Sequence, residues 1–151
     1  MKMNPRNFFL TVFLFFVGMP FSAWSIAPVI ADKNDLAQLC GRIMSEKRWG
    51  PPGFGETPSL DKQRLIFFLN FDNPHVFSYK NYAGEFIEGK LNRIQISSTS
   101  NVLKNKIRHR VGRKGKVVGH VWSASSEGDY ESVVMQVLSI TSYPDSMPCD
   151  R

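Results

Sequence analysis

The chain has few of the residues that anchor familiar chemistry. It carries two cysteines and three histidines in 151 residues. His75, His109 and His120 lie far apart and share no ligand spacing, and zinc needs three or four converging donors, so no metal site is expected. No G-x-S-x-G turn occurs, which leaves a serine nucleophile without a local signal. Gly50, Gly53 and Gly55 are not followed by the Lys-Ser/Thr of a phosphate-binding loop. Catalytic sets also assemble from distant residues, so these absences do not exclude an enzyme. They give no reason to expect one, and no cofactor is expected either.

Charge is the next absence. No charged residue stands between Phe8 and Ala31. Lys2 and Arg6 precede an apolar run over residues 8–17, FFLTVFLFFV, of the length of a signal-peptide core. Pro20 breaks it, and Ala23-Trp24-Ser25 offers small residues at the spacing a signal peptidase reads. Cleavage is expected after Ser25, with Val29-Ile30-Ala31 as a second candidate. An uncleaved anchor is the alternative, because a stretch this long can span a bilayer. No cysteine ends the run, which argues against a lipoprotein. On either reading the basic residues stay on the cytoplasmic side and the domain is exported, to the periplasm or beyond. The expected organisation is a signal peptide over residues 1–25, a flexible lead-in over 26–35 and one domain over 36–151.

Export gives the cysteines a meaning. An even count in an oxidising compartment predicts one disulfide, Cys40 to Cys149. It would join the two ends of the domain, and closing a loop of roughly a hundred residues is worth about 4–5 kcal/mol in the chain-entropy model.

Two β-forming runs dominate the C-terminal half. Residues 116–124, KVVGHVWSA, and 132–140, SVVMQVLSI, are dense in branched and aromatic side chains, and the polar stretch between them predicts a hairpin with a long loop. Both faces of each run are rather apolar, which suits a barrel wall covered on its outer side. Residues 63–71, QRLIFFLNF, predict another strand, ended by Asp72-Asn73-Pro74. Residues 77–89 are irregular, either a long excursion or a short extra strand. Ile94 and Ile96 alternate with Arg93 and Gln95 across a short strand over 91–97. Residues 98–110 predict a helix capped by Ser98, Thr99, Ser100 or Asn101, with Val102, Leu103, Ile107 and Val111 at helical spacing and Gly112 closing it. Residues 36–44 suit either helix or strand. As a strand they complete the order strand, strand, strand, helix, strand, strand, the layout of a five-stranded Greek-key OB barrel.

Residues 49–58, WGPPGFGETP, hold three prolines and three glycines, which no regular element tolerates. The loop nevertheless carries Trp49 and Phe54. It is therefore either a cover folded onto the core, with Trp49 buried, or a binding loop with Phe54 projecting.

Three segments in order resemble an exported bacterial domain family of unknown function: Gly50-Pro51-Pro52-Gly53-Phe54-Gly55-Glu56 after a strand containing Gly41, Leu69 with Pro74 in LNFDNP, and Val117-Val118-Gly119-His120-Val121-Trp122-Ser123-Ala124. Its members carry a GPP-x-(F/Y) loop and a late V-x-G-x-(L/V)-x-x-A segment. The likeness spans residues 40–140, nearly the whole of the expected mature chain. It implies an OB-like fold and no reaction. The chain departs from the pattern before its last strand, where a His-rich turn of the family is replaced by Glu127-Gly128-Asp129-Tyr130-Glu131.

The strongest charge feature is acid-free: Lys104, Lys106, Arg108, Arg110, Arg113, Lys114 and Lys116. Without Lys2 and Arg6 the chain has 17 basic against 13 acidic residues, so this run exceeds the net excess. It is either a solvated face or a surface for an anionic partner, meaning an acidic protein or an envelope component. Nucleic acid is an improbable partner for an exported protein. The sequence therefore predicts a small β-barrel binding module, for instance an inhibitor or immunity protein acting on a toxin or envelope enzyme. Its expected surfaces are Trp49, Phe54 and Glu56, then Lys106, Arg108, Arg110 and Arg113, then Asp129 and Tyr130. A hydrolase acting on a phosphate-containing or envelope substrate is the alternative.

Overall fold

A computed structural model describes residues 28–31, 35–51, 53–81, 83–126 and 128–149. The expected signal peptide lies outside the described residues. The chain forms β1 (Val29–Ile30), β2 (Leu36–Trp49), β3 (Gln63–Lys80), β4 (Phe86–Ser97), α1 (Asn101–His109), β5 (Lys114–Ser123) and β6 (Val133–Ser142). The described residues are mainly β, with one helix and a single six-stranded sheet. The sequence expectation was five strands. The sixth is β1, which falls in the presumed lead-in and pairs parallel with β3 through Val29–Phe77 and Ile30–Ser78.

Residues 36–44, ambiguous in sequence, are strand because β2 is paired throughout and changes partner at Arg42. β2 runs antiparallel to β3 from Arg42 to Trp49 and antiparallel to β5 from Leu36 to Arg42. β3 is antiparallel to β4, and β5 to β6. β4 meets β6 in parallel at Gln95, Ile96 and Ser97. The pairings thus run β2–β3–β4–β6–β5 and back to β2.

Asp72-Asn73-Pro74 does not end its strand. The register of β3 against β4 jumps between Asn70 and His75, so that Phe71 to Pro74 stands opposite Asn92 alone. Proline has no N–H for a ladder, and an irregularity of this kind is where a strand tolerates it. Pairing then resumes, and the irregular residues 77–89 become the two arms of one long hairpin. Asn81 closes its turn, its Oδ1 accepting from the backbone N–H of Ala83 at 2.9 Å and of Glu85 at 3.0 Å.

The inward faces of the strands bury Ile43, Leu69, Phe77, Ile94, Val117, Val121 and Met135. The outer faces of β5 and β6 range from buried, at Val134, through half-buried to exposed, at Leu138, so the outer cover inferred from their composition is partial. Gly119 marks a register shift between β5 and β6. A Cβ there would collide with the carbonyl oxygen of Gln136, which is why the V-x-G segment has a glycine at this point. Ser100 caps α1, its Oγ accepting from the Leu103 N–H at 3.5 Å. Lys106, Arg108 and His109 fill the last turn, where the helix dipole favours cations. The helix inserts Ile107, fully buried, into the core.

Cys40 and Cys149 form a disulfide, with their Cα atoms 5.3 Å apart. The C-terminal tail is also held by charge. Lys114 Nζ lies 2.6 Å from Asp72 Oδ2 and 2.9 Å from the Met147 carbonyl, and the Cys149 N–H donates to the same Asp72 oxygen at 3.2 Å. The Lys114 ammonium, followed by the Cys149 N–H, holds the Asp72 carboxyl below its ordinary pKa against the opposing effect of burial.

Candidate functional site

The loop between β2 and β3 is organised around one carboxylate. Asp61, buried, accepts from the backbone N–H groups of Gly53 at 2.8 Å, Gly55 at 2.7 Å and Thr57 at 3.2 Å. Burial is the largest single influence on its carboxyl and pushes the pKa up. The three N–H donors together outweigh it and hold the pKa below the ordinary value. This cage gives a proline- and glycine-rich segment a defined shape without a hydrogen-bond ladder. It turns the backbone through φ values of 50° at Phe54 and 102° at Gly55. A glycine is required at 55, because a Cβ would sit 2.8 Å from Trp49 Cδ1. Trp49 thus packs against the loop and is half-buried, less than the full burial expected of a cover. Phe54 points out, 44% exposed.

The β5–β6 loop docks onto this one. The Tyr130 hydroxyl donates to the Trp49 carbonyl at 2.7 Å, and its N–H donates to Gln95 Oε1, also at 2.7 Å. Asp129 Oδ2 accepts from the N–H groups of Ser125 and Ser126, both at 2.9 Å, so this carboxylate shapes its own turn. Arg93 braces the junction from below. Its guanidinium lies 4.5 Å over the Phe68 ring, bridges to Glu46, and reaches Glu131 at 2.7 Å. The Arg93 contact is the main reason the Glu46 carboxyl stays below its usual pKa; burial opposes it and Arg48 assists.

The two loops and the turn of the β3–β4 hairpin enclose an open groove of about 970 Å³. Phe54, Phe86, Trp122 and Tyr130 supply its aromatic lining, with Lys80 and Asp129 among its polar walls. Lys80 Nζ sits 5.1 Å above the Phe86 ring. The Ser123 hydroxyl ties the floor together, accepting from the Lys80 N–H at 2.7 Å and donating to the Ala31 carbonyl at 3.3 Å. An apolar cleft with a few fixed polar groups is the usual form of a binding pocket.

Of the residues singled out in the sequence, Phe54, Asp129 and Tyr130 meet in this groove, and Trp49 supports it from behind. Glu56 is exposed and outside its lining. The basic run lies elsewhere and divides. Lys114 is buried in the Asp72 contact, Arg110 bonds the Ser142 hydroxyl, and Lys116 stacks 5.2 Å over Tyr143. Lys104, Lys106, Arg108 and Arg113 remain exposed and make no ion pair among the described residues. Lys104 and Arg108 rim a second, smaller depression of about 230 Å³ floored by Phe67, Ile96 and Ile107.

Sequence reading missed Trp122, Phe86 and Lys80. Trp122 lies in a run read only as strand, and it stands near the open end of β5. Phe86 and Lys80 flank a turn that had no recognisable pattern. No group of three or more His, Cys, Asp or Glu side chains placed to hold a metal ion occurs among the described residues. Among these residues, no helix is long and apolar enough to cross a membrane. No family model and no curated protein matches the chain.

Proposed function

We propose that this chain is a small exported binding module of OB-like build that holds a protein partner in the groove between its loops. The pairing circuit β2–β3–β4–β6–β5–β2, with a helix between β4 and β5, supports the OB-like barrel reading, with β1 as an addition to the common five strands. The Cys40–Cys149 disulfide suits an oxidising compartment and so supports export. The resemblance to an exported domain family of unknown function agrees with both and adds no activity.

One observation carries the binding reading: four aromatic side chains from separate segments, Phe86 and Trp122 on strands and Phe54 and Tyr130 on loops held by half-buried hydrogen bonds, converge on one open groove. Preformed aromatic pockets of this kind accept the anchor side chains that dominate protein interfaces. An envelope enzyme or a toxin is the partner class proposed. Immobilised protein should retain such a partner from periplasmic extract. Calorimetry with the purified partner should then show a saturable complex without turnover, weakened about thirtyfold or more by Phe54→Ala and Trp122→Ala. Equal affinity for the variants would refute the groove. Turnover abolished by replacing a single acid or histidine would instead establish a hydrolase.

A further inference from the structure

β4 is paired along its whole length on one side only. Toward β3 its ladder runs from Phe86 to Ile96, but toward β6 it is bonded only at Gln95, Ile96 and Ser97. Among the described residues no strand lies against its other edge over residues 86–92. That leaves a row of backbone donors and acceptors in solvent, a template for another strand. The edge is not blunted by a proline or a short length, and Phe86 and Ile87 are exposed along it.

The side chains on this edge are complementary to their own reversed order. Gly89 is the centre. Glu88 and Lys90 stand one residue to either side, and Ile87 and Leu91 stand two residues to either side. Antiparallel pairing of two copies about Gly89 sets Glu88 opposite Lys90 and Ile87 opposite Leu91, and sets each pair twice. Opposite charges and branched apolar residues directly across a strand pair are the favourable combinations. Glu88 and Lys90 are both exposed and enter no ion pair among the described residues. They are therefore free to meet a second copy.

We propose that the edge of β4 over residues 86–92 pairs antiparallel with the same edge of a second copy of this chain, about a two-fold axis at Gly89. The contact is isologous and closed, so it gives a dimer and no filament. It joins two sheets into one continuous sheet. It does not rest on the binding role proposed for the groove. A strand-to-strand contact of this length buries less than a standard interface, so the dimer is a weak and concentration-dependent one.

Sedimentation velocity on the purified, disulfide-bonded domain tests this, from about 10 μM to about 1 mM, a range that brackets weak association. The native chain should pass from monomer to dimer within that range. Glu88→Lys sets lysine against the partner's Lys90 at two symmetric places, and Lys90→Glu sets glutamate against the partner's Glu88. Each should weaken the dimer about tenfold or more. The combined exchange, Glu88→Lys with Lys90→Glu, restores both opposite-charge pairs and should return dimerisation to within about threefold of native. Circular dichroism checks that each variant is folded. A native chain that stays monomeric at every concentration overturns the proposal. A dimer that the single changes leave intact, or that the exchange fails to restore, overturns it equally.

Discussion

Phe54 lies at the intersection of stability and binding. Its backbone has φ of 50°, in the left-handed region, while its ring remains 44% exposed. A left-handed residue bearing a Cβ carries roughly 1–2 kcal/mol of strain. Fully burying a phenylalanine contributes about 1.5–3 kcal/mol, so a ring little more than half covered recovers only about 1–1.5 kcal/mol. The two nearly cancel, and folding alone gives little reason for a phenylalanine here. Phe54→Ala removes the ring but keeps the strain, and should cost about 1 kcal/mol. Phe54→Gly removes both, and loses about 0.4–1 kcal/mol to the greater freedom of the unfolded chain. The glycine variant should therefore match or exceed the alanine variant in stability, by up to about 1.5 kcal/mol, the reverse of the usual order. Urea melts with a shared slope measure the difference directly. An alanine variant clearly more stable than the glycine one would refute the strain argument. A loss above about 3 kcal/mol in either would make Phe54 a core residue. If the reasoning holds, both variants should lose about 2 kcal/mol or more of partner affinity while staying folded.

Other expectations concern the scaffold. Trp49→Ala should cost about 2–3 kcal/mol in a urea melt, below the 3–5 kcal/mol of a fully buried tryptophan, because the indole is only half covered. Ile107→Ala, which empties a fully buried site between helix and sheet, should cost about 2–5 kcal/mol by the same measurement. Replacing Cys40 by serine should lower stability by about 2–5 kcal/mol, and a reducing agent should lower the melting temperature of the native chain but not of that variant. Acid should weaken the fold in a defined direction. Asp61 and Asp72 have folded pKa values below their unfolded ones. The folded state therefore binds fewer protons, and their contribution is complete above the unfolded value of about 3.9 and lost as pH falls through the depressed folded values. Melting temperature against pH should be flatter below pH 4 in Asp72→Asn than in the native chain.

The sequence read best where the signal was local. The helix capped by Ser100 and the β5–β6 hairpin follow from spacing and composition. The disulfide follows from an even cysteine count together with the expectation of export. Residues 36–44 could not be read as strand from their own pattern, because what makes them strand is pairing with β5 up to Arg42 and with β3 beyond it, partners that lie outside the segment. Asp72-Asn73-Pro74 looked like a strand end, since proline in a ladder is costly. Only the register jump opposite Asn92 shows how β3 absorbs it. The groove was half legible. Phe54 and Tyr130 stood out as aromatics in loops, but Trp122 and Phe86 reach it through pairings distant in sequence. The basic run misled in part, because the partners of Lys114 and Arg110 are Asp72 and Ser142, remote along the chain.

The proposed role of the groove as a partner surface is tested most directly by site-specific photocrosslinking in living cells. A benzophenone amino acid placed at Ser125, on the groove rim, is compared with one at Lys106, on the exposed face of α1. The account predicts a discrete crosslinked product with another exported protein from Ser125 and none from Lys106. A product from Lys106 alone would contradict it and assign binding to the basic face.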